Sequence, residues 1–157
     1  MLNLFLFRHA KAIQSSLTID DYNRPLHQKG ILQLEHILDR FKNHTISGPV
    51  LISSAKRTRL TYQKISPIFH SPPTYIDELY LASKETIDTL IRTTQNCDNL
   101  SIIGHNDGLS DLACFYTEEY IHMPTGSFIH LQFDLESWEL LSQGTATIVS
   151  FFQPIAH

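Results

Sequence analysis

The chain has 157 residues, 42% of them apolar, and 12 Lys+Arg against 16 Asp+Glu, a formal net charge of −4. At roughly 150 residues per domain this predicts one domain over residues 1–157, large enough to bury an ordinary core without disulfide or metal staples. No basic run stands out, so a nucleic-acid binder that works by neutralising phosphates is excluded, and no apolar stretch is long enough to span a membrane. The two cysteines, Cys97 and Cys114, lack CxxC spacing and give no disulfide framework, which makes a reducing, cytoplasmic setting the expectation. Nine histidines are the one compositional oddity, and only their positions can give them meaning.

In chain order, β-rich apolar runs occur at 2–7, 50–52, 74–76, 100–103, 128–133 and 146–152. Helical patterns lie between the earlier ones, at 28–42, 55–65, 84–92 and 108–116. The first places Ile31, Leu34, Ile37, Leu38 and Phe41 on one stripe. The second and third follow serines that could cap them, Ser53 or Ser54 and Ser83. Strands alternating with helices through the first 116 residues predict an α/β fold, a three-layer α/β/α sandwich around a mostly parallel sheet. Two C-terminal strands close it, with Gln143 and Gly144 marking their return.

In open α/β sheets, ligands bind beyond the carboxyl ends of the strands. The residues there are Arg8, His9, Ala10 and Lys11 after the first run; Ser53, Ser54 and then Arg57 after the second; and Gly104, His105, Asn106 and Asp107 after the fourth. Two histidines and two arginines on one edge repel each other unless an anion sits between them. The fork of an arginine suits phosphate oxygens, and helix N-termini after Ser54 and Asn106 offer backbone N–H donors to the same anion. The expected ligand is a phosphoryl group.

Three motifs carry a family resemblance. Leu6-Phe7-Arg8-His9-Ala10 resembles the Arg-His signature of the histidine phosphatase (phosphoglycerate mutase-like) superfamily. Its second motif is matched by the run from Ser53 to Thr61, with Arg57 four residues after Ser53 and Thr61 four beyond, and its third by Ile103-Gly104-His105-Asn106. Asp21-Tyr22-Asn23-Arg24-Pro25-Leu26 followed by Gly30, and Met123-Pro124-Thr125-Gly126-Ser127, are similar to the small bacterial phosphohistidine phosphatases of the SixA type. Departures are Ala10 in place of Gly, Ser54 in place of Pro, and His27 where a Thr or Ser would cap the next helix.

The resemblance implies a phosphoglycerate mutase-like fold without a cap domain and a hydrolase that needs no metal and no cofactor. His9 would be the nucleophile that carries the phosphoryl group, and Arg8, Arg57 and His105 would form the pocket around its oxygens. For the attack, one imidazole nitrogen must be unprotonated while a backbone carbonyl fixes the other. His105 could be a neutral core residue, a second nucleophile or an imidazolium on the phosphoryl group, and the motif favours the imidazolium. Arg24 is placed in the phosphate pocket or its rim by the resemblance, against a surface pair with Asp20 or Asp21. Ser53 is weighed as a helix cap and a phosphate ligand, and Asn106 as a further phosphate contact. Lys11 reads as a rim charge or a solvated lysine, and Asp107 as a substrate contact or a helix cap.

The general acid is open: Glu78 is preferred to Asp77, both lying just after the third apolar run, with solvated loop carboxylates as the alternative. A phosphohistidine leaves as a neutral imidazole and hardly needs an acid, whereas a serine or sugar phosphate leaves as an alkoxide and does. A short chain with no inserted cap predicts an open site, able to admit a phosphorylated protein such as a histidine phosphotransfer domain. The competing readings are a phosphomonoesterase for small phosphate esters and a catalytically silent phosphoprotein-binding module.

Overall fold

The structure, a computed structural model, describes residues 1–155. Six strands form one sheet: β1 (Leu2–Arg8), β2 (Val50–Ser53), β3 (Pro73–Ile76), β4 (Asn99–Gly104), β5 (Phe128–Phe133) and β6 (Ala146–Phe152). Their order is β3-β2-β4-β1-β5-β6; the first four run parallel, and β5 and β6 add antiparallel partners at one side. The helices are α1 (Gln28–Arg40), α2 (Lys56–Ile65), α3 (Lys84–Arg92) and α4 (Gly108–Thr117). Among the described residues, no helix is long and apolar enough to cross a membrane.

Alternation along β1 builds the layers. Leu2, Leu4 and Leu6 pack to one face with Ile87 and Ile91 of α3 and Leu109, Leu112 and Tyr116 of α4. Phe7, with Phe5 packed at the edge of its cluster, goes to the other face with Leu34 and Ile37 of α1 and Ile65 of α2. A strand covered on both faces has no polar face, which is why its sequence reads as a nearly continuous apolar run. Ile31 departs from the expected α1 stripe: it is 41% exposed, so the buried face is the narrower line through Gly30, Leu34 and Ile37.

Gly30 on that line is fixed by a close approach. A Cβ there would lie 2.2 Å from the carbonyl oxygen of Lys11, so α1 presses directly on the segment that leaves β1. The cap of α1 corrects the expectation at His27. Its imidazole Nδ1 accepts the Lys29 N–H at 3.0 Å, so a ring nitrogen does what a hydroxyl oxygen does elsewhere. At α3, Ser83 caps as expected by accepting from the Thr86 N–H.

Candidate active site

Parallel pairing in register brings the ends of the central strands together. Arg8 sits opposite Gly104, and the His9 N–H donates to the Gly104 carbonyl at 3.1 Å, so the residue after β1 is locked beside the residue before His105. His9, Arg57 and His105 are all buried, at 6%, 1% and 2% exposure. The two imidazole rings stand 5.2 Å apart.

His9 is held at both nitrogens. Nδ1 lies 2.8 Å from the Ala10 carbonyl oxygen, which accepts only if Nδ1 carries the proton, and this leaves the Nε2 lone pair to take the Arg57 Nε–H at 3.3 Å. Ala10 is itself fixed, its N–H donating to Thr61 Oγ1 of α2 at 3.1 Å. Burial, with help from His105, Arg57 and Arg8, pushes the His9 pKa well below the usual imidazole range, although the Ala10 carbonyl works the other way. His9 is therefore a neutral imidazole of defined tautomer at neutral pH.

Arg57 reaches the pocket from the first turn of α2 and is oriented by one residue. Nη1 donates to the Asp21 carbonyl at 2.7 Å and Nη2 to the Asp21 carboxylate at 3.2 Å. The same carboxylate pairs with Arg24 Nε at 3.0 Å and accepts from the Tyr80 hydroxyl. Partial burial would raise the Asp21 pKa, but Tyr80, Arg57 and Arg24 together hold it below the usual carboxylate range. Arg24 also donates to the Ile13 carbonyl at 3.1 Å. It is thus paired with Asp21, as the surface reading anticipated, yet through that carboxylate it shares the anchor of Arg57. Arg8 donates to the Met123 carbonyl at 2.8 Å, and burial lowers its pKa against the opposing charge of Asp107.

Two sequence expectations change here, and a third gains a condition. In the free protein burial first, then Arg57 and to a lesser extent Arg8 and Arg24, push the His105 pKa down to about 3 despite Asp21. A dianionic phosphoryl group between the arginines would oppose those charge effects and favour its protonation. Ser53 does not cap α2. That helix has no side-chain cap, and Ser53 Oγ sits 2.7 Å from His105 Nε2, fixing the ring. Asn106 spends its amide within the protein, Nδ2 donating to the Met123 carbonyl at 2.9 Å and Oδ1 accepting from Ser110 Oγ at 2.8 Å and the Ser110 N–H at 3.2 Å. Its side chain braces the start of α4 and is not left free for phosphate; Asp107 makes no side-chain cap there either.

Glu78 lies exposed in the 3-10 turn Asp77–Leu79, and its carboxylate enters none of the hydrogen bonds or ion pairs of this cluster. Two residues further on, Tyr80 does enter it. Its ring lies 5.6 Å from that of His105, with the Arg57 Cζ 5.8 Å from the Tyr80 centroid. Asp21, Tyr80, Thr61 and the Met123 carbonyl are the members that the reading of strand ends did not assign to the site. Asp21 was visible only inside the segment around Arg24, and Tyr80 only as a neighbour of Glu78.

Arg8 Nε, Ser54 Oγ and His105 Nδ1 are buried without a hydrogen-bond partner among the described residues, and they come from the ends of β1, β2 and β4. Buried donors left unpaired are costly, and a polyanionic ligand is one group that supplies many acceptors at once. The cluster contains more cationic groups than carboxylates and a hydrogen-bonded neutral imidazole. Such a set of groups can hold a small tetrahedral oxyanion next to an unprotonated ring nitrogen.

No protein-family model matches the chain, and a comparison with curated proteins finds no match. Solved structures do match. A candidate phosphohistidine phosphatase SixA from Nakamurella multipartitia aligns at TM-score 0.84 and 22% identity, covering 99% of this chain and 97% of that one. Another from Agrobacterium tumefaciens aligns at 0.80 and 23%, covering 98% of each chain. The protein histidine phosphatase SixA complexed with tungstate aligns at 0.75 and 19%, covering 98% of this chain and 97% of that one. The fold is that of the small, uncapped histidine phosphatases, phosphoglycerate mutase-like in architecture.

Proposed function

We propose that the chain is a phosphatase that hydrolyses phosphohistidine on a protein through a covalent phospho-His9 intermediate. The observation that carries this reading is the pinned tautomer of His9: Nδ1–H on the Ala10 carbonyl and a neutral Nε2 at 3.3 Å from Arg57 Nε. A phosphoryl group entering there exchanges that one weak bond for the donors of Arg57 and Arg8. Tungstate, bound by one structure of the same fold, is a tetrahedral oxyanion like phosphate.

In the first step His9 Nε2 attacks phosphorus while the P–N bond to the substrate imidazole breaks. The bonding pair stays on the departing nitrogen, whose ring keeps its proton on the other nitrogen and leaves neutral. Donor and acceptor are the same chemical group, so no proton has to move and no strong acid is required. The pKa of an ordinary imidazole, about 6.5, makes it a good leaving group at neutral pH. Arg8, Arg57 and a His105 protonated in the presence of the dianion stabilise charge on the equatorial oxygens. In the second step water attacks phospho-His9, the P–N bond breaks with its electron pair returning to Nε2 while Nδ1 keeps its proton, and both protons of the water leave on inorganic phosphate, H2PO4−. The exposed, unpaired Glu78 suits this substrate better than an alkyl ester, whose alkoxide needs a proton.

The test is to trap a labelled phosphoenzyme. A label that is acid-labile and lost in His9→Ala supports the intermediate, and binding without labelling would make the chain a phosphoprotein-binding module. Turnover of a phosphorylated histidine phosphotransfer domain should exceed that of sugar phosphates. The reverse order would make it a phosphomonoesterase for small esters.

A further inference from the structure

Beside the oxyanion cluster stands a second feature that phosphate chemistry alone does not use. Tyr22 follows Asp21, whose backbone and carboxylate hold Arg57, and its ring meets that of Tyr80 at 5.1 Å with the planes 89° apart. Tyr80 in turn stands 78° to the His105 ring. Two perpendicular aromatic rings thus make a corner beside the phosphoryl pocket, and Tyr22 is 37% exposed there.

The corner is held rigidly. The Tyr80 hydroxyl is tied to the Asp21 carboxylate, and the Tyr80 N–H to the Asp77 carbonyl at 3.0 Å. The chain after Tyr80 turns sharply. Leu81 adopts φ +50°, a left-handed conformation unfavourable for a leucine, and leaves its side chain 54% exposed next to the corner. Ala82 then runs so close to the start of α4 that a Cβ on Gly108 would lie 2.0 Å from the Ala82 carbonyl oxygen. Backbone strain clusters at binding and switch sites, and exposed apolar side chains on a loop do not serve the core.

We propose that Tyr22 and Tyr80 are specificity-determining residues that grip a flat aromatic leaving group by stacking and edge-to-face contact while its phosphoryl group sits among Arg8, Arg57 and His105. Given the function proposed above, on which the identity of this group rests, the gripped ring is the imidazole of phosphohistidine. The surface around it accepts the apolar surroundings of that side chain on a folded protein. A ring that packs on one tyrosine face and against the edge of the other gains affinity that an alkyl group of equal size does not.

Binding of non-hydrolysable phosphonates tests this without relying on turnover. Dissociation constants for phenylphosphonate and methylphosphonate are measured by calorimetry on the full chain, and the ratio of the two is the readout. In the wild type phenylphosphonate should bind about tenfold more tightly than methylphosphonate. Tyr80→Leu should bring the ratio close to one, Tyr22→Leu should reduce it by a smaller factor, and Tyr80→Phe should keep it, because the ring rather than the hydroxyl makes the grip. Using a ratio cancels any shared disturbance of Arg57. A wild-type ratio near one, or a ratio unchanged in both leucine variants, overturns the inference and leaves Tyr80 as a brace for Asp21. A preserved aromatic preference in a protein that fails to hydrolyse phosphohistidine supports the grip while removing the phosphohistidine reading, with aryl phosphates as the substrate class.

Discussion

The two ends of the sheet differ in how their arginines are answered. At the amino-terminal end of β4, a cavity of about 510 Å³ is lined by residues that include Arg92, Cys97, Asp98, Glu136 and Trp138. Its chemistry is closed: Arg92 donates to Asp88 at 2.6 Å and to the Glu139 carbonyl at 3.1 Å, and Trp138 Nε1 donates to the Cys97 carbonyl at 2.8 Å. At the carboxyl end, Arg57 and Arg24 share the carboxylate of Asp21, and Arg8 Nε and His105 Nδ1 have no partner among the described residues. The proposed function rests on the unanswered charge rather than on the hollow, because hydrogen bonds left unmade inside a protein are available to a ligand.

Substitutions at the two ends should separate accordingly. The largest effect is expected for His9→Ala, a fall in kcat/KM on phosphohistidine on the order of 10⁴-fold or more with the phosphoenzyme abolished, since a lost nucleophile disables the whole catalytic unit. Next comes Arg57→Ala, about 100- to 1,000-fold in kcat from the loss of charge stabilisation, whereas Arg92→Ala at the opposite end should change kcat by less than about twofold. An equal loss in the two arginine variants would break the comparison. Asp21→Asn should cost roughly tenfold to a hundredfold, because Arg57 keeps its charge and loses its aim; kinetics on Arg57→Lys in the same background would test that reading.

Stability should also show the difference. His9 and His105 have folded pKa values below that of an unfolded imidazole, the latter at about 3. Below pH 6.5 the unfolded chain binds protons at these positions that the folded chain refuses, for His105 down to about pH 3. Their contribution to stability is therefore complete above pH 6.5 and is lost as pH falls, by up to about 1.4 kcal/mol per pH unit for each histidine. Urea midpoints from pH 7 to pH 4 should decline more steeply in the wild type than in His105→Asn, and parallel curves would count against a neutral His105. The smallest effect is expected for Glu78→Gln. Turnover of phosphohistidine should change by less than about twofold, far from the 10²- to 10⁴-fold that an essential general acid contributes.

The architecture was legible because it depends on periodicity: the six apolar runs became β1 to β6, and the four helical patterns became α1 to α4. The site was legible as far as it follows from strand ends, so Arg8, His9, Arg57 and His105 could be named together. Asp21 and Tyr80 could not, since each arrives on a 3-10 turn whose path no periodic pattern encodes. Protonation was hidden for another reason. A histidine beside arginines reads as part of a cationic pocket, and only burial to 2% exposure shows that His105 is neutral in the free protein. The α1 cap was misjudged because capping depends on where an acceptor atom sits, and His27 puts a ring nitrogen in the place of a hydroxyl.

The contact at Gly30 reaches further than packing. The Lys11 carbonyl beneath it accepts the His27 N–H at 2.8 Å, and one residue earlier the Ala10 carbonyl sets the direction of the His9 ring. A methyl group on Gly30 would push on the peptide next to the one that aims His9, the proposed nucleophile. A glycine on a helix that touches no substrate thus acts as a sighting notch for the chemistry, and catalytic turnover should register a change there even where the fold tolerates it.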